Sequence, residues 1–362
     1  MSIEARIHRW IRPDIIDLEP YHVPDARGMT KLDAMENPYS WPKELRDLWL
    51  QRLAETPLNR YPDAAANELR TSIAAWCHLD SATEVLLGNG SDELIQILVL
   101  ALGGTRRTIL APEPTFVMYR LAAKYTGTDY VGVSSSDALA PDLEALLQAI
   151  EKHKPSCVFL AHPNNPTGGM IETQTVEAVV AATDGLVVVD EAYHVFCGHS
   201  YTNLLPKYDN LVVMRTFSKL GLAGLRLGFL IGPREWLKVL DRVRLPYNIN
   251  ALTQASALFA LEHMAWFEER AVEICVEREA LLQRLSELPG IELFPSAANF
   301  LLFRVSHGCA GAIFDGLRKK KVLIKNLHGT HASLVDCLRV TIGTAEQNGI
   351  FFNALKEQLV AD

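Results

Sequence analysis

No apolar run in this 362-residue sequence reaches the roughly 18–20 residues that a membrane-spanning helix needs. The opening stretch, MSIEARIHRWIRPDIIDLEP, has no short apolar core followed by a small-residue cleavage site, which argues against a secretory signal. The six cysteines, at positions 77, 157, 197, 275, 309 and 337, form no C-x-x-C pair, and most stand inside apolar segments. They read as reduced, buried thiols of a cytoplasmic protein. Ligands with zinc-like spacing are missing, so no metal is expected, and the scattered histidines read as structural or solvated. Basic residues are in the minority: the net charge is −8 and the pI about 5.8, which argues against nucleic acid or an anionic membrane as main partner. No G-x-G-x-x-G follows the first strand and no G-x-x-x-x-G-K-[ST] occurs, so the common dinucleotide and P-loop signatures are absent. There is no internal repeat and no low-complexity tract. The RKKK run at 318–321 closes a helix, where cations suit the dipole.

What is present is ordinary globular composition, 49% hydrophobic and 22% charged, with length for a large core and a smaller unit. From residue 84 short aliphatic runs alternate with amphipathic stretches. EVLLG, RTILAP, TDYVGVS, SCVFLAHP, GLVVVDEAY, NLVVMRT and RLGFLIG read as about seven strands, most of them separated by helical periods. Continuous Val/Ile/Leu runs of this kind predict an α/β fold with buried, mostly parallel strands and crossover helices. After residue 248 long helical periodicity gives way to a small α+β pattern. The expected division is an irregular, Pro-rich arm over 1–40 that is part of the small unit, a large domain over 41–248, and a small domain over 249–362.

In open α/β sheets ligands bind beyond the carboxyl ends of the strands, so the residues just after each strand carry the information. GNGSDEL (88–94) follows the first strand. Ser91 is placed to cap the next helix, with Asp92 and Glu93 in its first turn, and Gly88 and Gly90 permit close backbone approach to an anion. A plain capped helix satisfies the same pattern. HPNNPTGG (162–169) fixes a tight turn and presents Asn165 to the cleft, or is a turn only. In VVVDEAY (187–193), Asp190 follows three valines; a carboxylate there needs a cation or a structural partner. Tyr193 is close enough in sequence to point a hydroxyl the same way. In TFSKLGLAGLR (216–226), Lys219 lies past a strand end in apolar company, where burial favours the neutral amine that forms Schiff bases. Ser218 and Arg226 are suited to a phosphate. The plainer reading has Lys219 snorkelling to solvent and Arg226 paired with an acid.

Taken jointly, a phosphate cradle, a buried Asp, an amide, a phenol, a lysine and an arginine match one ligand, pyridoxal 5′-phosphate. Here the chain resembles the fold-type I pyridoxal-phosphate aminotransferases, closest to the histidinol-phosphate aminotransferase family. The resemblance rests on ENPY (36–39), RYPD (60–63), GNGSDE (88–93), PTFVMY (114–119), HPNNPTG (162–168), VVVDEAY (187–193), RTFSKLGLAGLRLG (215–228) and CLRVTIGT (337–344), in family order over nearly the whole chain.

The resemblance implies that Lys219 takes the covalent link to the cofactor and moves the substrate proton. It implies that Asp190 pairs with the ring nitrogen, Asn165 and Tyr193 bond the 3′-oxygen, and Phe116 stacks on the ring. Gly90, Ser91, Asp92, Ser218 and Arg226 then surround the phosphate. Tyr61 reaches the neighbouring subunit's phosphate in a homodimer. Arg339 binds the substrate's anionic group, with Tyr21 and Asn37 closing the substrate side. The sequence departs from the family at Lys325-Asn326, where many members carry Arg-Asp; lysine keeps the charge and loses the bidentate fork. The implied reaction moves an amino group between L-histidinol phosphate and 2-oxoglutarate in histidine biosynthesis. The alternatives are a related transaminase for aromatic or other amino acids, a phospho-amino-acid decarboxylase, or a pyridoxal-phosphate-sensing regulator, for which the motifs leave no room for a DNA-binding module at the start.

Overall fold

The computed structural model describes residues 1–20, 23–136 and 139–360. Its centre is a seven-stranded sheet in the order Thr83–Gly88, Gly228–Pro233, Leu211–Thr216, Leu186–Asp190, Cys157–Ala161, Thr108–Glu113, Asp129–Ser134. Gly228–Pro233 runs antiparallel to both its neighbours, and the other pairings are parallel. The aliphatic runs are continuous because both faces of the sheet are covered. Val187 and Val189 enter one core cluster with Leu160 and Val213, while Val188 enters another with Phe159 and Met214. All six parallel strands end at one edge, and the antiparallel strand starts there. Register sets Ala161 beside Asp190 and Asp190 beside Met214, and joins Thr216 and Gly88 to Gly228.

A second, antiparallel sheet has the order Lys325–Asn326, Cys337–Thr341, Phe300–Val305, Ile291–Leu293. Thr30–Lys31 pairs in parallel with Val322–Leu323, which ties the start of the chain to its last quarter. The first residues differ from the irregular arm expected of them. Ile3–Trp10 is a helix, capped by Ser2 through the Ala5 N–H, and Pro13–Ile16 adds a short turn. Pro13 stands at the start of that turn, where its missing N–H costs nothing.

After the large sheet and the short helix Arg234–Leu240 come two longer helices. Ala251–Glu262 places Ala257 and Ala260 in the core cluster of the large sheet. Met264–Ser286 is shared. Its Met264 and Phe267 belong to that same cluster, whereas Ala271, Ile274, Leu281 and Leu285 pack with the small sheet.

Candidate active site

The strand edge opens into a cavity of about 380 Å³. Asp190, Asn165, Tyr193, Ser218, Lys219, Arg226, Ser91, Asp92 and Phe116 all line it. Their convergence follows from register, because each lies within a few residues of the same edge. The turn Ser218–Leu220 closes on Thr216, whose hydroxyl accepts the Ser218 N–H at 3.1 Å and donates to Ser218 Oγ at 3.0 Å. That turn directs Lys219 back over the sheet. Its Nζ lies 5.5 Å from the Tyr193 ring centre and donates to the Ala34 carbonyl at 3.4 Å.

Burial, followed by the nearby Arg339 charge, lowers Lys219 to about 8. An amine of that kind is neutral in a useful fraction near physiological pH. Asp190 is 5% exposed, and burial raises it to about 6, against the opposing effect of its hydrogen bonds. Tyr119 donates to its Oδ2 at 2.6 Å and the Ala192 N–H to Oδ1 at 3.0 Å. Tyr119 is fully buried, stacked on Phe159 at 4.5 Å, and lines the cavity. Sequence reading missed it, although it ends the stretch PTFVMY; a tyrosine on a helix carries no signal that its hydroxyl meets a strand end 71 positions away.

The helix Ser91–Leu102 begins differently from expectation. Its N-cap is Gly90, at φ +82, and Ser91 is the first helical residue. Only glycine takes this backbone without strain. A side chain at Gly90 would also place its Cβ 2.7 Å from Arg226 Nη2. The result is a helix N-terminus with no side-chain cap, roofed by a guanidinium that bonds Asp92 at 2.9 Å. Such a helix end suits an anion.

Asn165 is held by Arg339, which donates to its Oδ1 and to the Asp33 carbonyl at 3.1 Å. Arg339 is buried and lies 5.2 Å over the Phe300 ring. Asn37 does not line the cavity. Its Nδ2 donates to the Leu220 carbonyl at 3.1 Å and so supports the Lys219 turn. Tyr61 is 80% exposed and stacks on Tyr247 at 4.4 Å, outside the cavity of its own chain. Tyr21 lies outside the described residues. Lys325 lines a second cavity of about 280 Å³, together with Arg339. The two cavities share Met35, Phe116 and Asn165 in their walls.

Beneath the site Glu191, fully buried, receives Arg215 Nε at 2.9 Å, the Tyr201 N–H at 2.6 Å and the Ser200 hydroxyl. This pair bridges the strand ends that carry Asp190 and Lys219. Such a pair is stable only when fully bonded, as it is here.

The residues present fit pyridoxal 5′-phosphate. The Gly90 cradle suits its phosphate, and the buried Asp190, costly as a lone anion, suits a protonated ring nitrogen. Lys219 beside them, lowered to about 8 by burial, suits its aldehyde.

Comparison with known proteins bears on the same point. The family model described as aminotransferase class I and II matches residues 27–355. Histidinol-phosphate aminotransferase 2 of Nitrosococcus oceani is 51% identical over 97% of this chain and 98% of its own. Histidinol-phosphate aminotransferase 1 of Ralstonia nicotianae is 46% identical over 99% of this chain and 96% of its own. Among solved structures, the histidinol-phosphate aminotransferase of Sinorhizobium meliloti in complex with pyridoxal-5′-phosphate shares the fold, with a TM-score of 0.87 at 24% identity, over 96% of this chain and 97% of that one. A match over most of the chain, with relatives at this identity, places the sequence plainly: it belongs to the class I and II aminotransferase family.

Proposed function

We propose that this enzyme transfers the amino group of L-histidinol phosphate to 2-oxoglutarate, giving imidazole-acetol phosphate and L-glutamate, in L-histidine biosynthesis. The observation that carries the reading is the pairing of Lys219, lowered to about 8 by burial, with the buried Asp190 in one cavity, in a chain 51% identical to a histidinol-phosphate aminotransferase. Pyridoxal 5′-phosphate, when bound, supplies an aldehyde for the amino group and a ring that accepts the electron pair left at the substrate α-carbon.

The chain's own residues do the rest. Ser91, Asp92, Ser218 and Arg226 would hold the phosphate, the first two through backbone N–H groups. Asp190, fixed by Tyr119, would keep the ring nitrogen protonated, while Asn165 and Tyr193 would bond the 3′-oxygen and Phe116 cover the ring face. Lys219 Nζ would take the proton from the α-carbon of the amino donor in the first half-reaction and return one to the α-carbon of the new amino acid in the second. Arg339 orients the anionic group of either substrate, and Lys325 adds a second cation for the phosphate ester. Tyr61, exposed in its own chain, suits a homodimer in which it reaches the phosphate of the partner's site. Six free cysteines suit a reducing cytoplasm. Among the described residues no helix is long and apolar enough to cross a membrane.

The test is Lys219→Ala. The parent protein absorbs in the visible with cofactor bound, and the variant loses that covalent signature and on the order of 10²–10⁴-fold in turnover. An unchanged variant overturns the mechanism. A donor and acceptor panel that includes L-histidinol phosphate tests the substrate, and carbon dioxide release would mark a decarboxylase instead.

A further inference from the structure

The second cavity holds a carboxylate that the mechanism does not use. Glu113 ends a strand of the large sheet and its side chain is 14% exposed. Its Oε1 is held by Arg120 and, at 3.1 Å, by the Tyr130 hydroxyl. Its Oε2 lies over Gly132 of the adjacent strand, where any Cβ would run into it. The sheet thus leaves a gap of one side chain in which this carboxylate rests. The ion pair with Arg120 does little to explain the arrangement, because that arginine is half exposed.

Across the cavity stands His331. Its Nδ1 accepts the Ser333 N–H at 3.2 Å, so the neutral ring carries its proton on Nε2. Nε2 faces Glu113 Oε2 at 3.8 Å, too far for a direct hydrogen bond. At another part of the same wall, Lys325 and Arg339 are direct partners on antiparallel strands and therefore share a face. The cavity therefore presents two cations on one strand pair and a positioned acceptor elsewhere. It adjoins the cofactor cavity, with Phe116 and Asn165 in the walls of both.

We propose that Glu113 is a specificity-determining residue: its Oε2 accepts the N–H of the substrate's imidazole, while Lys325 and Arg339 hold the phosphate. This rests on the histidinol-phosphate reading above. It adds that an N–H donor on the substrate ring is read by a carboxylate, so that an aromatic ring without N–H is disfavoured. A site built to bond a polar group discriminates strongly against an analogue that lacks it, because its own buried group is left unpaired.

The experiment compares kcat/KM for L-histidinol phosphate and L-phenylalaninol phosphate on the same preparations of holoenzyme. The parent enzyme favours the imidazole substrate. In Glu113→Ala the ratio of the two values falls by on the order of 10–100-fold, and Glu113→Gln, which keeps an acceptor, is intermediate. Gly132→Ala, which leaves Glu113 in place but displaces its carboxylate, lowers the ratio in the same direction. It carries the test if Glu113→Ala does not fold. An unchanged ratio, with both substrates falling equally or neither falling, overturns the proposal and leaves the enzyme's function standing. A parent enzyme that transaminates other donors but not L-histidinol phosphate overturns the functional reading itself, and this inference with it.

Discussion

The two adjoining cavities are built in different ways. The first is assembled from the ends of neighbouring strands of one sheet, and nearly every group in it is fixed by register. The second takes one wall from that sheet, through Glu113, and the other from the small sheet and the loop that carries His331. A single rigid edge suits chemistry common to every substrate, because both half-reactions pass through the same atoms. A wall shared between two sheets suits discrimination, because it can change without disturbing that edge.

The difference can be broken or sharpened by substitution. Asp190→Asn removes the charge that a ring nitrogen would meet, and both half-reactions are expected to slow together by about 10²–10³-fold, measured by single-turnover spectroscopy. A loss confined to one half-reaction would break the contrast. Glu191→Ala strips the partner from buried Arg215 and is expected to cost about 3–5 kcal/mol in denaturant unfolding. Glu113→Ala, whose arginine is half exposed, is expected to cost far less stability in the same assay.

The first cavity should also leave a mark on pH dependence. Lys219 titrates near 8 in the folded protein, below its unfolded value, so the unfolded chain binds more protons between about 8 and about 10.4. Stability of the cofactor-free protein therefore gains from this group as pH rises through that window, and Lys219→Met should flatten the rise. Asp190 works in the opposite sense. Its folded value near 6 is raised, so the stability it contributes at low pH is lost as pH climbs through about 6. The smallest effect is expected from Lys325→Arg, which restores the fork. It should change kcat/KM for L-histidinol phosphate by roughly threefold and leave the L-glutamate half-reaction within error.

Much of the first cavity was legible in the sequence, for a physical reason. A strand buried on both faces reads as an unbroken aliphatic run, so its end is visible, and polar residues just beyond must meet at the sheet edge. Lys219, Asp190, Asn165, Tyr193 and Arg226 were found this way. Tyr119, Glu113 and His331 were not, because what they touch depends on how a helix, an edge strand and a distant loop pack. Ser91 was read as the helix cap because serine favours that position, yet the positive φ demanded by the cradle gives it to Gly90. The change of composition after residue 248 suggested a boundary there. Packing adds that the long helix Met264–Ser286 serves both cores, with Met264 and Phe267 in that of the large sheet and Ala271 onward in that of the small one.

The parallel pairing of Thr30–Lys31 with Val322–Leu323 has a consequence for how the molecule is made. The segment next to it supplies the Asp33 and Ala34 carbonyls that receive Arg339 and Lys219. At a synthesis rate of about 5–20 residues per second, a chain leaving the ribosome waits roughly 15–60 s between Thr30 and its partner strand. During that interval the large sheet can form and offer Leu220 and Lys219 to Asn37 and Ala34, while Thr30–Lys31 still lacks its partner strand. The catalytic pocket is thus finished late: the Asp33 carbonyl has no Arg339 to receive until that residue has been translated, after every strand of the large sheet.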